Sequence, residues 1–99
     1  MATALSEEQL NDLLQAHPRW QVEDGKLTRR FKFPSFPDAI AFITVLAFEA
    51  ERVQHHPDLE NTHANLTVRF FTHDDQALTE KDAEMVKWVD EHAASLLPS

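Results

Sequence analysis

Histidines are concentrated in one short stretch of this 99-residue chain, where four of the six lie between Glu51 and His73. His55 and His56 are adjacent, and a carboxylate precedes His55 by one helical turn. Imidazole changes its charge near neutral pH, so rings that lie close together can include one protonated and one neutral member. The stretch is therefore a candidate site for combined acid and base catalysis.

The types and spacing of these side chains leave three interpretations open. Glu51, His55, His56 and His73 could form an acid and base site, bind a metal, or lie together without a function. Adjacent histidines rarely chelate one ion, and the helical H-x-x-x-H spacing is absent, which disfavours a metal. Histidines are also favourable at a helix C-terminus simply because the helix dipole prefers positive charge there.

Pro57 follows the histidine pair and disfavours a helical conformation for His56. We therefore expect the helix that carries Glu51 to end here and to direct both imidazoles outward. Asp82 has a separate structural explanation as the third residue of a capping box that begins at Thr79. His17 and His92 have no evident partners in the sequence, so both are expected on the surface.

The surrounding pattern predicts three helices and two β-hairpins. Helices are expected over 7–15, from Ser35 toward the histidine pair, and from Thr79; hairpins are expected over 20–33 and 61–73, with turns at Asp24 and Gly25 and near Ala64 and Asn65. Arg29 interrupts the apolar alternation, which suggests a strand near a sheet edge. The order predicts an α+β fold, a single domain over 1–99 with a four-stranded antiparallel sheet and three helices on one face.

Composition narrows the classes of partner and the cellular compartment. With 17 acidic and 9 basic residues the net charge is −8, which argues against direct binding to nucleic acid or an anionic membrane. There is no cysteine, which excludes disulfides and thiolate zinc sites. No segment resembles a signal peptide or a membrane span, so a cytoplasmic protein is expected. A domain this small would gain burial by self-association.

The spacing of the candidate residues resembles the signature of the pterin-4a-carbinolamine dehydratases. The residues that match are Glu51, His55, His56, Pro57, His73 and Asp82, and His63 occupies the position between Pro57 and His73 where the signature continues. The similarity extends through Trp20 and the stretches FKFPSFPDAIAFITVLAFEAE and THDDQALTEKD, so it covers most of the chain from Trp20 onward.

The resemblance implies dehydration of 4a-hydroxytetrahydropterin to quinonoid dihydropterin, which recycles the pterin used by aromatic amino acid hydroxylases. It implies three catalytic histidines, His55, His56 and His73, with His56 and His73 as the expected acid and base pair. The expected substrate-binding residues are Glu51, Pro57, Thr72, Asp74, Asp75, Lys81 and Asp82. Glu51 would orient His55 or bind the pterin. Neither a metal nor a cofactor is implied, because the pterin is the substrate.

The family also implies a homodimer or homotetramer, and its animal members act as coactivators that bind a homeodomain transcription factor. Two positions depart from its pattern: His63 and Leu59 stand where aromatic residues are usual. Loss of both aromatics could loosen the pocket or an interface. A non-catalytic interaction or assembly module is therefore the alternative function. We also hypothesise that His63 joins the other three histidines and changes their titration.

Overall fold

The computed structural model describes residues 2–96 and contains three helices and one four-stranded antiparallel sheet. The elements in chain order are α1 (Glu7–Ala16), β1 (Gln21–Glu23), β2 (Lys26–Lys32), α2 (Phe36–Val53), β3 (Asp58–Thr62), β4 (Asn65–Phe70) and α3 (Glu80–Ala93). The predicted fold class and the order α-β-β-α-β-β-α are confirmed.

Each helix begins at a polar cap that the sequence predicts. Ser6, Ser35 and Thr79 are the N-caps of α1, α2 and α3, and the side chain of each accepts a backbone N–H of the first turn. The first turn of a helix leaves its N–H groups without helical partners, so such caps determine where a helix starts. The helix starts are therefore encoded locally.

The first hairpin turns at Asp24 and Gly25, as predicted. Both residues have positive φ, 51° and 78°, and the pair Glu23 and Lys26 closes the turn. A two-residue turn with two positive φ values matches the right-handed twist of the strands it joins. Glycine is favoured at the second position because it adopts this conformation without steric cost.

The sheet has the strand order β1-β2-β4-β3, so β2 and β4 are central. On one face, Leu27 and Phe31 of β2 pair with Phe70 and Leu66 of β4, and all four are buried. The helices add to this core Leu13, Ala39, Phe42, Leu46, Ala50, Met85, Val86, Val89 and Ala93. The apolar alternation of the two central strands thus determines which face the helices cover.

Arg29 corrects one expectation, because it lies in the central strand β2 and not near an edge. Its guanidinium is buried and donates to Asp90 Oδ1 at 2.5 Å. The same carboxylate accepts a hydrogen bond from Trp20 Nε1 at 2.7 Å, and its other oxygen lies 2.6 Å from His17 Nδ1. His17 is therefore half-buried in an ionic cluster, and its expected surface position is wrong. Desolvation lowers the pKa of Arg29, and the hydrogen bond that Arg29 donates to Asp90 opposes that shift.

The second hairpin is displaced from its predicted position. β3 starts at Asp58, directly after Pro57, and the turn consists of His63 and Ala64, one residue earlier than expected. His63 has a φ of 53°, and Asn61 Nδ2 donates to the carbonyls of His63 and Asn65 at 3.0 and 2.9 Å. The asparagine bridge replaces a glycine as the feature that holds this turn.

Within residues 2–96, no helix has the length and apolar character needed to cross a membrane.

We predict that Asp90→Ala lowers the free energy of unfolding by about 3 kcal/mol, because it leaves the Arg29 charge buried without a counter-ion. Urea denaturation followed by circular dichroism measures the change. Glu91→Ala, at the exposed neighbouring position, is the matched control and should change stability by less than about 0.5 kcal/mol. Equal losses in the two variants would contradict a role for the Asp90 cluster.

Candidate active site

The end of α2 turns His55 into the protein instead of outward. Gln54 adopts a left-handed conformation with φ 55°, and the backbone N–H of His55 donates to the carbonyl of Ala50 at 2.9 Å. This reversal is a common helix ending, and it leaves His55 only 8% exposed. The expectation that both imidazoles point outward is therefore wrong for His55 and holds only for the exposed His56.

A short hydrogen bond joins the His55 ring to a buried carboxylate. His55 Nε2 lies 2.6 Å from Asp82 Oδ1, and the Asp82 side chain is fully buried. The imidazole also stacks on Phe70, with the ring centroids 6.1 Å apart and the planes 14° from parallel. Asp82 thus contacts the edge of the imidazole ring, and Phe70 contacts its face.

The Asp82 carboxylate both caps α3 and contacts the His55 ring. Its Oδ2 accepts the Thr79 backbone N–H at 2.9 Å, which confirms the predicted capping box of α3. The same oxygen accepts the Thr72 hydroxyl at 2.7 Å, while Oδ1 faces His55. An ionised carboxylate only accepts hydrogen bonds, so with Asp82 in that form His55 Nε2 is the donor of this contact. In the neutral ring the lone pair is consequently on Nδ1.

Glu51 contacts His56 and not His55. Glu51 Oε1 and His56 Nε2 are 2.8 Å apart, and both side chains are largely exposed, at 72% and 61%. The expectation that Glu51 orients His55 is therefore corrected, since Asp82 has that position. An exposed pair of this kind contributes little to stability but can bias the orientation of the His56 ring.

His73 lies at the same end of the sheet as the histidine pair. Asp58 at the start of β3 pairs with Arg69 near the end of β4, and His73 follows β4 by three residues. Its ring is exposed and stands edge-on to Phe71, with the centroids 5.2 Å apart. The register of the β3–β4 hairpin thus brings His55, His56 and His73 to one end of the sheet.

His63 lies at the opposite end of the β3–β4 hairpin. The full length of β3 separates it from the histidine pair, and at roughly 3.3 Å per residue this strand is about 16 Å long. The hypothesis that His63 joins the other three histidines is therefore wrong. It occupies the first turn position, where a left-handed backbone is needed.

The predicted substrate-binding residues divide by exposure. Thr72 and Asp82 are buried, at 3% and 0% exposed, and lie behind His55, so they correct the expectation that both line a pocket directly. Asp75 is half-buried, and its Oδ2 accepts the backbone N–H of Ala2 at 3.2 Å. The others are half-buried or exposed at this end of the fold: Glu51, Pro57, Asp74 and Lys81.

A cavity of about 500 Å³ lies between the C-terminal half of α2 and α3, and it reaches His55 from the helical side. Its lining consists of Glu49, Arg52, Val53, His55, Glu80, Lys81, Glu84, Met85, Lys87, Trp88 and Glu91. The Arg52 guanidinium, which hydrogen-bonds Glu49, holds the pKa of that carboxyl below its usual value. Neither His56 nor His73 belongs to this wall. The cavity therefore gives access to one of the three histidines.

Thr79 is a residue of this site that the sequence suggested only as a helix cap. Its hydroxyl lies 2.7 Å from the Thr72 hydroxyl and is completely buried. The capping pattern was a sufficient signal for its position in α3, but the contact with Thr72 depends on the loop after β4. No three His, Asp or Glu side chains among the described residues are arranged to hold a metal ion. A metal-free site stays a prediction.

Comparisons with known sequences identify the family of this chain. The sequence model described as "Pterin 4 alpha carbinolamine dehydratase" matches residues 3–92. A protein of Picosynechococcus sp. is 40% identical over 92% of this chain and 99% of its own, and one of Chloroflexus aurantiacus is 39% identical over 88% and 94%. Both carry the name "Putative pterin-4-alpha-carbinolamine dehydratase". The chain belongs to the pterin-4a-carbinolamine dehydratase family.

A solved structure shows the same fold. The crystal structure of a Brucella melitensis protein, described as a transcriptional coactivator/pterin dehydratase, superposes with a TM-score of 0.84 at 34% sequence identity. The match covers 90% of this chain and 97% of that one.

We predict that Asp82→Ala destabilises the fold by about 3 kcal/mol, because it removes a cap and leaves the Thr72 hydroxyl and the His55 ring without their partner. Asp38→Ala is the matched control, because Asp38 is the third residue of α2. Among the described residues, the one side chain that hydrogen-bonds the Asp38 carboxylate is the Ser35 cap. The control should cost about 1 kcal/mol. Chemical denaturation of both variants measures the difference, and equal costs would mean that Asp82 acts only as a cap.

Proposed function

We propose that this protein catalyses the dehydration of 4a-hydroxytetrahydropterin to quinonoid dihydropterin. The observation that carries the proposal is the His55 ring, held 2.6 Å from the buried Asp82 at the end of the sheet that also presents His56 and His73. Membership of the dehydratase family supports the same substrate class. No metal or further cofactor enters the proposal.

The reaction requires one proton to be supplied and one to be removed. The C4a–O bond breaks as the hydroxyl is protonated and leaves as water, while the N5 proton departs and its electron pair forms the N5–C4a double bond. An imidazolium and a neutral imidazole suit these two steps because both forms are accessible near neutral pH. Three histidines at one end of the sheet supply the groups without a metal.

The structure distinguishes the three histidines by their environment. The His55 ring is fixed by Asp82, and its Nδ1 can accept a proton without loss of the Nε2 contact. The exposed His56 and His73 are free to meet a ligand from solvent, and Glu51 accompanies His56. We therefore keep His56 and His73 as the proposed acid and base pair and add His55 as a ring whose orientation is imposed by the fold.

We expect the purified protein to accelerate dehydration of 4a-hydroxytetrahydropterin generated by a phenylalanine hydroxylase assay, measured over about pH 6 to 9. His55→Gln, His56→Ala and His73→Ala should each lower the rate by roughly a hundredfold, the usual contribution of a positioned acid or base. His92→Ala, an exposed histidine of α3, is the control and should retain the activity.

Circular dichroism of each variant would show that lost activity is not lost folding. A folded wild-type protein that does not accelerate dehydration would refute the enzymatic proposal and favour the second candidate, a protein-interaction module.

The second candidate is favoured by an exposed apolar surface on α2. Phe36, Ile40, Val45 and Phe48 are 52%, 39%, 48% and 76% exposed, and all four belong to α2. Several exposed large apolar side chains on one helix are typical of a surface that contacts another protein. The word coactivator in the description of the Brucella relative is compatible with such contacts. For this chain we propose a second copy as occupant, giving a homodimer or homotetramer.

We predict that Phe48→Asp reduces the mass measured by size-exclusion chromatography with light scattering, because a charge would be buried in the interface between copies. Gln15→Asp, at an exposed position of α1, is the control and should leave the mass unchanged. A wild-type protein that is monomeric at all concentrations would contradict the proposed interface. A cytoplasmic location stays a prediction.

A further inference from the structure

Two buried threonine hydroxyls extend the hydrogen-bonded unit of His55 and Asp82. Thr79 Oγ1 lies 2.7 Å from Thr72 Oγ1, which lies 2.7 Å from Asp82 Oδ2. Thr72 is 3% exposed, and Thr79 and Asp82 are fully buried. These groups are therefore removed from solvent, and their hydrogen bonds must be satisfied by one another.

The direction of each hydrogen bond follows from the number of protons. A threonine hydroxyl has one proton, and an ionised carboxylate has none to offer, so Thr72 must donate to Asp82. Thr72 can then only accept from Thr79, and Thr79 donates its single proton to Thr72. The lone pairs of Thr79 Oγ1 remain available for the backbone N–H of Lys81, which lies 3.2 Å away. The result is a chain of donors that all point toward Asp82.

We propose that Thr72 and Thr79 are positioning residues that keep Asp82 ionised and oriented, so that His55 holds its proton on Nε2 and presents Nδ1 to the site. Hydrogen bonds donated to a carboxylate favour its charged form, and Oδ2 receives two of them, from Thr72 and from the Thr79 backbone. With Oδ2 held in this way, Oδ1 faces the imidazole.

The chain also connects the start of α3 to the histidine. Thr79 is the N-cap of α3 and Asp82 its third residue, so the groups that begin the helix also hold the partner of the ring. Thr72 is in the loop after β4, where its backbone bridges to Ala77. A shift of either segment would change the orientation of Asp82. The consequence for catalysis rests on the proposed dehydratase function, whereas the protonation of the ring does not.

Replacing Thr72 provides the test. Thr72→Val removes the hydroxyl with little change in shape, and Thr72→Ser retains it. Thr28→Val is the matched control, because Thr28 is also buried, at 1% exposed, and its hydroxyl donates to the Lys26 carbonyl away from Asp82. Nitrogen-15 NMR of the histidine rings reports which nitrogen of His55 carries the proton, and the dehydration assay reports kcat and KM.

In the wild-type protein, Thr72→Ser and Thr28→Val, we expect the neutral His55 ring to be protonated on Nε2. In Thr72→Val we expect a mixture of the two tautomers and a kcat lowered by about tenfold, with KM changed by less than about twofold, since a hydrogen bond to a charged group is lost. Thr72→Cys keeps a weaker donor and should give intermediate values, which also provides a second variant if Thr72→Val does not fold.

An unchanged His55 tautomer in Thr72→Val, or in Thr72→Cys if only that variant folds, would overturn the proposal. Equal effects of Thr28→Val and Thr72→Val on the ring would overturn it as well, because they would indicate a general effect of lost stability. If the wild-type protein shows no dehydratase activity, the NMR result still decides whether the threonines position the ring, so the two proposals fail separately.

Discussion

The candidate site depends on the hydrogen bonds that the buried Asp82 carboxylate accepts. A carboxylate removed from water is unfavourable by several kcal/mol unless charge and hydrogen bonds compensate. Here the compensation comes from three segments: the cap of α3 through Thr79, the loop after β4 through Thr72, and the end of α2 through His55. The cost of burying this carboxylate is compensated only when all three segments are in place. An arrangement that lacks one of them is therefore less stable than the complete site.

A second carboxylate, Asp90, makes polar contacts near the C-terminal end of α3. Asp90 receives hydrogen bonds from Arg29 of the central strand and from Trp20, and it meets His17 at the end of α1. The helix is therefore attached to the sheet and to α1 by polar contacts in addition to its apolar face. Asp82 in the first turn and Asp90 near the C-terminal end thus both join α3 to other segments of the chain.

The two departures from the aromatic pattern of the family lie outside this unit. His63 forms the turn at the far end of the hairpin, and Leu59 lies on the exposed edge strand β3 with 38% of its surface accessible. A change at either position alters the surface of the sheet more directly than the ring of His55. The apolar face of α2 is a further surface separate from the site. The histidine site and the exposed apolar side chains of α2 therefore share no residues.

The sequence by itself determined the parts of this protein whose causes are local. The caps at Ser6, Ser35 and Thr79, the turn at Asp24 and Gly25 and the periodicity of the elements depend on contacts within a few residues, so they were predictable. The resemblance to the family signature also identifies His55, His56, His73 and Asp82 as candidate site residues.

Only the tertiary structure decided how those residues are used. The inward position of His55 depends on a hydrogen bond with a carboxylate 27 residues away, and the burial of Arg29 depends on a partner 61 residues away. His17 joins the same partner across 73 residues. Periodicity predicts which face of a helix or strand a side chain occupies. It does not predict which charged residue from a distant part of the chain lies opposite, because that depends on how the helices pack on the sheet.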